Sequence, residues 1–411
     1  MVAYKNLNLM VCWSLFTTLL LWLFFGMHHV LYGNETDYFL QARGFFDTQF
    51  LGSDWYFQST KAGLVMYSLC TGLFLKIFSP ILIFCIGRLI CMGAFVISFF
   101  GLCKKLGIRL QYAFMSLLLF IGLGQSVGAG EHIFGTFEPK NISYFLIMAS
   151  LSYLFSKKQG VFFLFLGLSF SFHPVLGGWG GVIILSSAAL FRMVDFSVKR
   201  MCALFISGSW GFYFWVHTVY SFMVSKINGI EPEVLNSGLS VFDSYVFFRN
   251  PHHLDIRTIL SGMGLGSVTV FIGVIAFLIL MIISRDGYVF EFLKNKGKIG
   301  IGRQRGADSM GDDRQRRFKA FLISIVMMSL IPVCIGAVLG FFRVGSQFLM
   351  TYPFRFFDSF AFLISILLLI HYVTDSWLER KTVKYSKFIN LCGQNKNIIK
   401  NFGVAGLLLI V

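Results

Sequence analysis

Residues 81–102 read ILIFCIGRLICMGAFVISFFGL, an apolar run in which Arg88 is the single charged residue. About 20 consecutive apolar residues cross the hydrocarbon core of a bilayer as an α-helix, and an uninterrupted helix satisfies its own backbone there. The run therefore predicts a membrane-spanning helix. Similar runs recur along the chain, at 9–30, 111–128, 140–156, 160–174, 177–193, 199–222, 259–284, 319–340, 354–373 and from 402 onward.

These runs predict an all-α fold, a polytopic transmembrane helical bundle of about 10–11 spans. The composition agrees, because 56% of the residues are hydrophobic and 13% are charged, whereas a soluble domain has about 45–50% and 25%. We expect one transmembrane domain over residues 1–411, with the first run retained as a span rather than cleaved as a signal peptide. The last run stops at Val411, so we expect the C-terminal part to be incomplete.

The basic residues predict the orientation. A net charge of +16 would be compatible with nucleic-acid binding. In a membrane chain, however, Lys and Arg concentrate in the cytoplasmic loops and so indicate the orientation. We therefore expect a lipid environment and no nucleic acid as partner. With the N-terminus in the cytoplasm and 62–78 not spanning, the most basic loops all face the cytoplasm, as the positive-inside rule requires. We therefore interpret 62–78 as an interfacial helix inside a large outer loop, 31–80, and 285–318 as a flexible basic cytoplasmic loop.

Carboxylates, histidines and a few arginines gather on the opposite, outer face. Glu35 and Asp37 follow the first span, and Asp54 lies later in the same loop. A carboxylate partly withdrawn from water there could act as a general base, and nearby polar and cationic groups could bind an anionic substrate. The candidate substrate-binding residues are Arg88, Glu131, His132, His173, Arg249, His252, His253, Arg343 and Arg355. The alternative is that these are ordinary solvated residues and that Arg88 extends to the lipid headgroups.

Five motifs in this order resemble the GT-C superfamily of polytopic membrane glycosyltransferases, in particular a bacterial branch of it. They are DTQFLGSDWY (47–56), FGTFEPKNISYFL (134–146), LGLSFSFHPVLGGWGG (166–181), FRNPHHL (248–254) and YPFRFFDS (352–359). The resemblance implies sugar transfer from a polyprenyl-phosphate donor on the outer face of the bacterial inner membrane. It assigns the base to Glu35 or Asp37, with Asp54 as a second candidate. It assigns stabilisation of the departing lipid phosphate to Arg249, His252, His253 and one of Arg343 and Arg355.

Other functions remain open at this point. A polymerase or ligase of lipid-linked polysaccharide would use a similar set of outer-face residues, and a transporter of lipid-linked or anionic substrates is the third alternative. The histidines and carboxylates could also hold a divalent metal, but no recognised metal motif is present and we assign no metal ligand. The eight cysteines lack the spacing of a zinc site or a disulfide framework, and no pattern specifies an oligomeric state.

Overall fold

The computed structural model describes residues 2–26, 31, 34–47, 49–50, 64–128, 132–227, 241–262, 273 and 307–374. Predictions for Asp54, Glu131, most of the basic loop and the run from 402 lie outside these residues. Residues 1–366 form one compact unit, and a second unit begins at Leu367.

Helices make up the secondary structure of the described residues, which contain no strand. In chain order they are α1 (Val2–Leu21), α2 (Asn34–Phe46), α3 (Val65–Leu75), α4 (Pro80–Lys105), α5 (Leu110–Gly122), α6 (Pro139–Phe155), α7 (Gln159–Phe172), α8 (Pro174–Leu190), α9 (Val198–Ser207), α10 (Ser209–Ile227), α11 (Val241–Ser244), α12 (Pro251–Leu254), α13 (Ile256–Gly262), α14 (Ala307–Phe342), α15 (Ser346–Leu349) and α16 (362–374). Three π-helical turns accompany them, at Trp22–Gly26, Tyr245–Arg249 and Phe357–Ala361.

Four described helical segments are long and apolar enough to cross a membrane: Asn8–Gly26, Pro80–Lys105, Arg317–Phe342 and Phe357–Thr374. The all-α class is confirmed, and these segments are consistent with a membrane protein. Other apolar helices are shorter, such as the 13-residue α5, which extends only about 20 Å at 1.5 Å per residue. The figure of ten or eleven spans therefore stays a prediction. Within the described residues the predicted runs overlap helices, and the run 199–222 is divided between α9 and α10.

Two segments that we expected to be loops contain helix. The outer loop 31–80 holds α2 as well as α3, and α2 begins with Glu35 and Asp37 in its first turn and ends with Arg43 in its last, the order of charges that the helix dipole favours. The segment 307–318, expected to be flexible, forms the start of α14. Its acidic residues precede its arginines in the sequence, a spacing that also favours a helix.

The core of the first unit is built around α6, which packs against α4 and α7. α6 is buried along most of its length, and its Ser143 hydroxyl donates to the Ser169 carbonyl of α7. α7 also contacts α8 and α9, and α1 packs on α4. His173 alone separates α7 from α8.

Candidate functional site

Polar groups in or beside the three π-helical turns make contacts with distant parts of the chain. The first turn offers the Gly26 carbonyl to Arg88, the second carries Tyr245, which bonds to Tyr352, and the third carries Asp358. π-Helical turns are rare and are often found at functional sites. In the sequence these residues lie in or near the segments that the charge pattern predicts to face outward.

The first polar cluster is a buried ion pair between Glu35 of α2 and Arg88 of α4. Arg88 donates from Nε to Glu35 Oε1 at 2.8 Å and from Nη2 to Oε2 at 2.5 Å, and from Nη1 to the Gly26 carbonyl at 3.2 Å. The Glu35 carboxylate also accepts the backbone N–H groups of Phe137, at 2.5 Å, and Leu31, at 3.0 Å. We call this arrangement the Glu35 clasp. Neither sequence interpretation of Arg88, extension to the headgroups or direct contact with a lipid phosphate, describes this pairing.

The second cluster surrounds Tyr352, and we call it the Tyr352 cluster. The Tyr352 hydroxyl lies 2.9 Å from the hydroxyl of Tyr245, and its ring centre lies 6.2 Å from that of His253. The guanidinium of Arg355 lies over the same ring, 4.2 Å from its centre, and its Nη1 is 3.2 Å from Nε2 of His173. The structure thus brings together three of the predicted substrate-binding residues, which are far apart in the sequence.

His173 faces an N–H donor at each ring nitrogen. Its Nδ1 accepts the Leu176 N–H at 3.1 Å and so caps the N-terminus of α8, while Nε2 faces Arg355. A neutral imidazole carries one N–H and one acceptor nitrogen, and a guanidinium only donates. When Nδ1 accepts, Nε2 carries the proton, and the His173 and Arg355 groups are both donors. An oxygen of an anion that accepts from both would stabilise this arrangement.

Tyr352 itself has a left-handed backbone conformation, with φ of 52°. This conformation is rare for a bulky residue and costs about 1–2 kcal/mol relative to the right-handed region. Such strain tends to occur at functional sites, where surrounding contacts hold it. Here the ring is held by the hydroxyl contact to Tyr245 and by the guanidinium of Arg355.

Asp358, which the sequence interpretation did not single out, anchors the loop that follows α5. Its carboxylate accepts the Ser126 hydroxyl at 2.5 Å and the Gly128 N–H at 2.8 Å, and its carbonyl accepts the Val127 N–H. The side chain is buried. An acidic residue inside an apolar run was the available signal, since intramembrane charges are costly and usually have a specific role.

The remaining predicted residues lie outside these two clusters or beyond the described side chains. His132 is exposed, and Arg343 is exposed with its guanidinium 5.6 Å from the centre of the Phe247 ring. Arg249 ends the second π-helical turn and His252 lies on α12. Asp37 is half-buried on α2 and makes no hydrogen bond or ion pair within the described residues.

A hydrophobic cluster connects the two polar clusters. Tyr67 of α3, Cys91 of α4 and Ile142 of α6 are buried members of it, and Tyr38 and Phe172 pack against it. Tyr38 directly follows Asp37, and Phe172 directly precedes His173. The first turn of α2 and the α7–α8 junction therefore flank one apolar core.

Among the residues that the structure describes, no group of three or more His, Cys, Asp or Glu side chains could hold a metal ion. In comparisons with known proteins, the chain matches no family model, no curated protein and no solved structure.

Proposed function

We propose that the protein is a membrane glycosyltransferase that moves a sugar from a polyprenyl-phosphate donor to an acceptor hydroxyl on the outer face of the bacterial cytoplasmic membrane. The observation that carries the proposal is the 3.2 Å contact between Nη1 of Arg355 and Nε2 of His173, which brings two N–H donors together when His173 Nδ1 accepts the Leu176 N–H. Both groups would donate to an oxygen of the lipid phosphate. An arginine at the end of an apolar bundle suits a phosphate on a lipid chain, because the guanidinium matches its charge and geometry.

In this proposal the Tyr352 cluster binds the phosphate that leaves. The acceptor oxygen attacks the anomeric carbon, the bond from that carbon to the phosphate oxygen breaks, and its electron pair departs with the lipid phosphate. The N–H donors of His173 and Arg355 stabilise the negative charge that develops there. Groups that are already oriented toward that charge lower the barrier without reorganising during the reaction.

Of Glu35 and Asp37, Asp37 is the better suited to take the proton from the acceptor hydroxyl. A general base needs a free acceptor position within reach of its substrate. The Glu35 carboxylate accepts four hydrogen bonds and is fully buried, whereas Asp37 is half-buried without a hydrogen bond in the described part of the chain. The hydrophobic cluster that touches Tyr38 and Phe172 supports a site between α2 and the α7–α8 junction.

Binding of a short-chain polyprenyl phosphate to the purified protein in detergent tests the phosphate site. Arg355→Gln removes one charge-assisted hydrogen bond, so affinity should fall roughly 10- to 100-fold. Arg109→Gln is the matched control, because Arg109 is an exposed arginine whose guanidinium also lies near a tyrosine ring, 6.0 Å from that of Tyr112. Equal affinity in the two variants would refute the phosphate site.

Analysis of surface glycans and lipid-linked intermediates in cells tests the chemistry. Asp37→Asn should abolish one glycan and cause its unmodified acceptor to accumulate, at unchanged abundance of the protein in the membrane. Unchanged glycans would exclude Asp37 as the base and would favour transport over transfer.

A further inference from the structure

The Glu35 carboxylate has its hydrogen-bonding positions filled by protein groups. A carboxylate offers about four lone-pair sites, and Glu35 receives two N–H groups from Arg88 and one each from the Phe137 and Leu31 backbones. The exposed fractions of Glu35 and Arg88 are 0% and 1%. No acceptor position is left for a substrate proton, although the sequence makes Glu35 an equal candidate for the base.

The clasp joins five separate parts of the chain. Gly26 ends the π-helical turn after α1, Leu31 lies between that turn and α2, Glu35 is in the first turn of α2, Arg88 is on α4, and Phe137 precedes α6. Because each partner is held through its backbone or through a two-pronged guanidinium contact, the clasp fixes position as well as distance.

The Phe137 peptide is fixed from two further sides. Its carbonyl accepts the Tyr67 hydroxyl at 2.9 Å, and its ring lies against Gly87, where a Cβ would come within 2.5 Å of the ring. The clasp is therefore anchored to α3, α4 and the start of α6 at once. It provides a rigid support for the first turn of α2.

Asp37 follows Glu35 by two positions on this helix, so the two side chains leave it in different directions, about 160° apart at 3.6 residues per turn. Burying Glu35 in the clasp thus turns Asp37 toward another side. The second hydrogen bond of this turn, from the Thr36 hydroxyl to the Leu31 carbonyl at 2.6 Å, holds the same segment. The rotation of α2 about its axis, and with it the direction of Asp37, follows from the clasp.

We propose that Glu35 and Arg88 are positioning residues, whose clasp fixes the first turn of α2 so that Asp37 is presented at the reaction site. The reactive role of Asp37 rests on the proposed glycosyl transfer. The placement of Asp37 by the clasp does not rest on that proposal, because the placement follows from the contacts of Glu35.

Chemical labelling measures this placement directly. Asp37→Cys introduces a thiol at the presented position, and its reaction rate with a charged, membrane-impermeant maleimide is measured on the full chain in membranes, with the parent protein as the background. Adding Glu35→Gln or Arg88→Lys releases the turn, since the amide and the ammonium cannot reproduce the two-pronged contact. Labelling should become roughly tenfold faster, because local opening of the turn then needs less free energy.

Asp255→Asn is the matched control for a general loss of stability. Asp255 is also a buried carboxylate, and it accepts the Arg257 N–H at 3.0 Å, but it lies between α12 and α13, where none of the clasp residues lies. Labelling at Asp37→Cys should stay within about twofold in this background, because openings of separate structural units are independent. Unchanged labelling in both Glu35→Gln and Arg88→Lys would overturn the positioning role, as would an equal increase in Asp255→Asn.

The outcome for the positioning role can be separated from that for glycosyl transfer. If Asp37→Asn leaves the glycans unchanged while Glu35→Gln still accelerates labelling, the clasp stands and the proposed transferase fails. If Asp37→Asn abolishes the glycan while the labelling rate is unchanged by Glu35→Gln and Arg88→Lys, the transferase stands and the positioning role fails.

Discussion

Gly72 of α3 faces the Ala42 carbonyl of α2 with no space between them for a side chain: a Cβ on Gly72 would lie 2.4 Å from that oxygen. This close approach lets the two helices of the first outer segment pack backbone to backbone. Gly72→Ala should therefore lower the melting temperature of the purified protein in detergent. Inserting a group into such a tight contact typically costs about 1–3 kcal/mol.

Gly181→Ala provides the comparison, because a Cβ there meets nothing within 4 Å. Alanine is better than glycine in a helix by about 1 kcal/mol, so this variant should melt at the same temperature or slightly higher. Equal melting of the two variants would mean that α2 and α3 are not in direct contact.

The two neighbouring carboxylates of α2 should differ sharply in their effect on stability. Glu35→Gln removes the carboxylate of a buried ion pair, and replacing one partner of such a pair costs about 3–5 kcal/mol. Asp37→Asn changes a half-buried side chain outside any hydrogen bond of the described residues, and such substitutions usually stay within about 0.5 kcal/mol. Thermal unfolding of both variants in one detergent gives the comparison, and similar losses would contradict the assignment of Glu35 to the clasp.

Much of the helical architecture follows from the sequence, because long apolar runs have few alternatives in a membrane. The run predicted at 81–102 is the centre of α4, Pro80–Lys105, and a proline is the first residue of α4, of α6 and of α8. The helix α2 was not predicted, since its sequence, NETDYFLQARGFF, is too polar for a span and was interpreted as loop.

The partners within the site could not be predicted, because each contact joins distant positions. Glu35 and Arg88 are separated by 53 residues and His173 and Arg355 by 182. The sequence correctly indicates that ionisable groups in an apolar chain need a partner or a cavity, but it contains no information on which group meets which. For this reason Glu35 and Asp37 were equivalent in the sequence, and only the contacts of Glu35 separate them.

His173 has two roles that different substitutions should separate. Its Nδ1 caps α8 by accepting the Leu176 N–H, while Nε2 faces Arg355. Asparagine is a good N-cap, so His173→Asn should keep the stability and lose the second nitrogen. Polyprenyl phosphate should then bind about tenfold more weakly, the effect of about 1.4 kcal/mol.

His173→Ala removes both functions and should in addition lower stability by about 0.5–2 kcal/mol, the usual value of an N-cap. Thermal unfolding and phosphate binding are measured on the same samples. Full binding by His173→Asn would show that Nε2 does not contact the phosphate.

The Tyr67 hydroxyl should make stability depend on pH in the alkaline range. Burial raises the pKa of Tyr67 well above its usual value of 10.0, with a smaller lowering by the Thr71 hydrogen bond and further increases from the nearby Glu138 and Glu35. In the unfolded chain this tyrosine ionises near pH 10, so above that pH the unfolded state binds fewer protons than the folded one. The free energy of unfolding then falls, by up to about 1.4 kcal/mol per pH unit for one group.

Tyr67→Phe tests this dependence against the unchanged protein. At pH 8 the variant should be less stable by about 1–3 kcal/mol, because the Phe137 carbonyl loses its buried donor. Above pH 10 the difference in stability between the two proteins should shrink. Phenylalanine has no proton to lose, so the variant does not lose the stability that the unchanged protein loses when Tyr67 ionises in the unfolded state. Unfolding curves from pH 8 to pH 11 measure the gap, and a gap that stays constant would mean that the Tyr67 hydroxyl is reached by solvent and ionises equally in the folded and unfolded states.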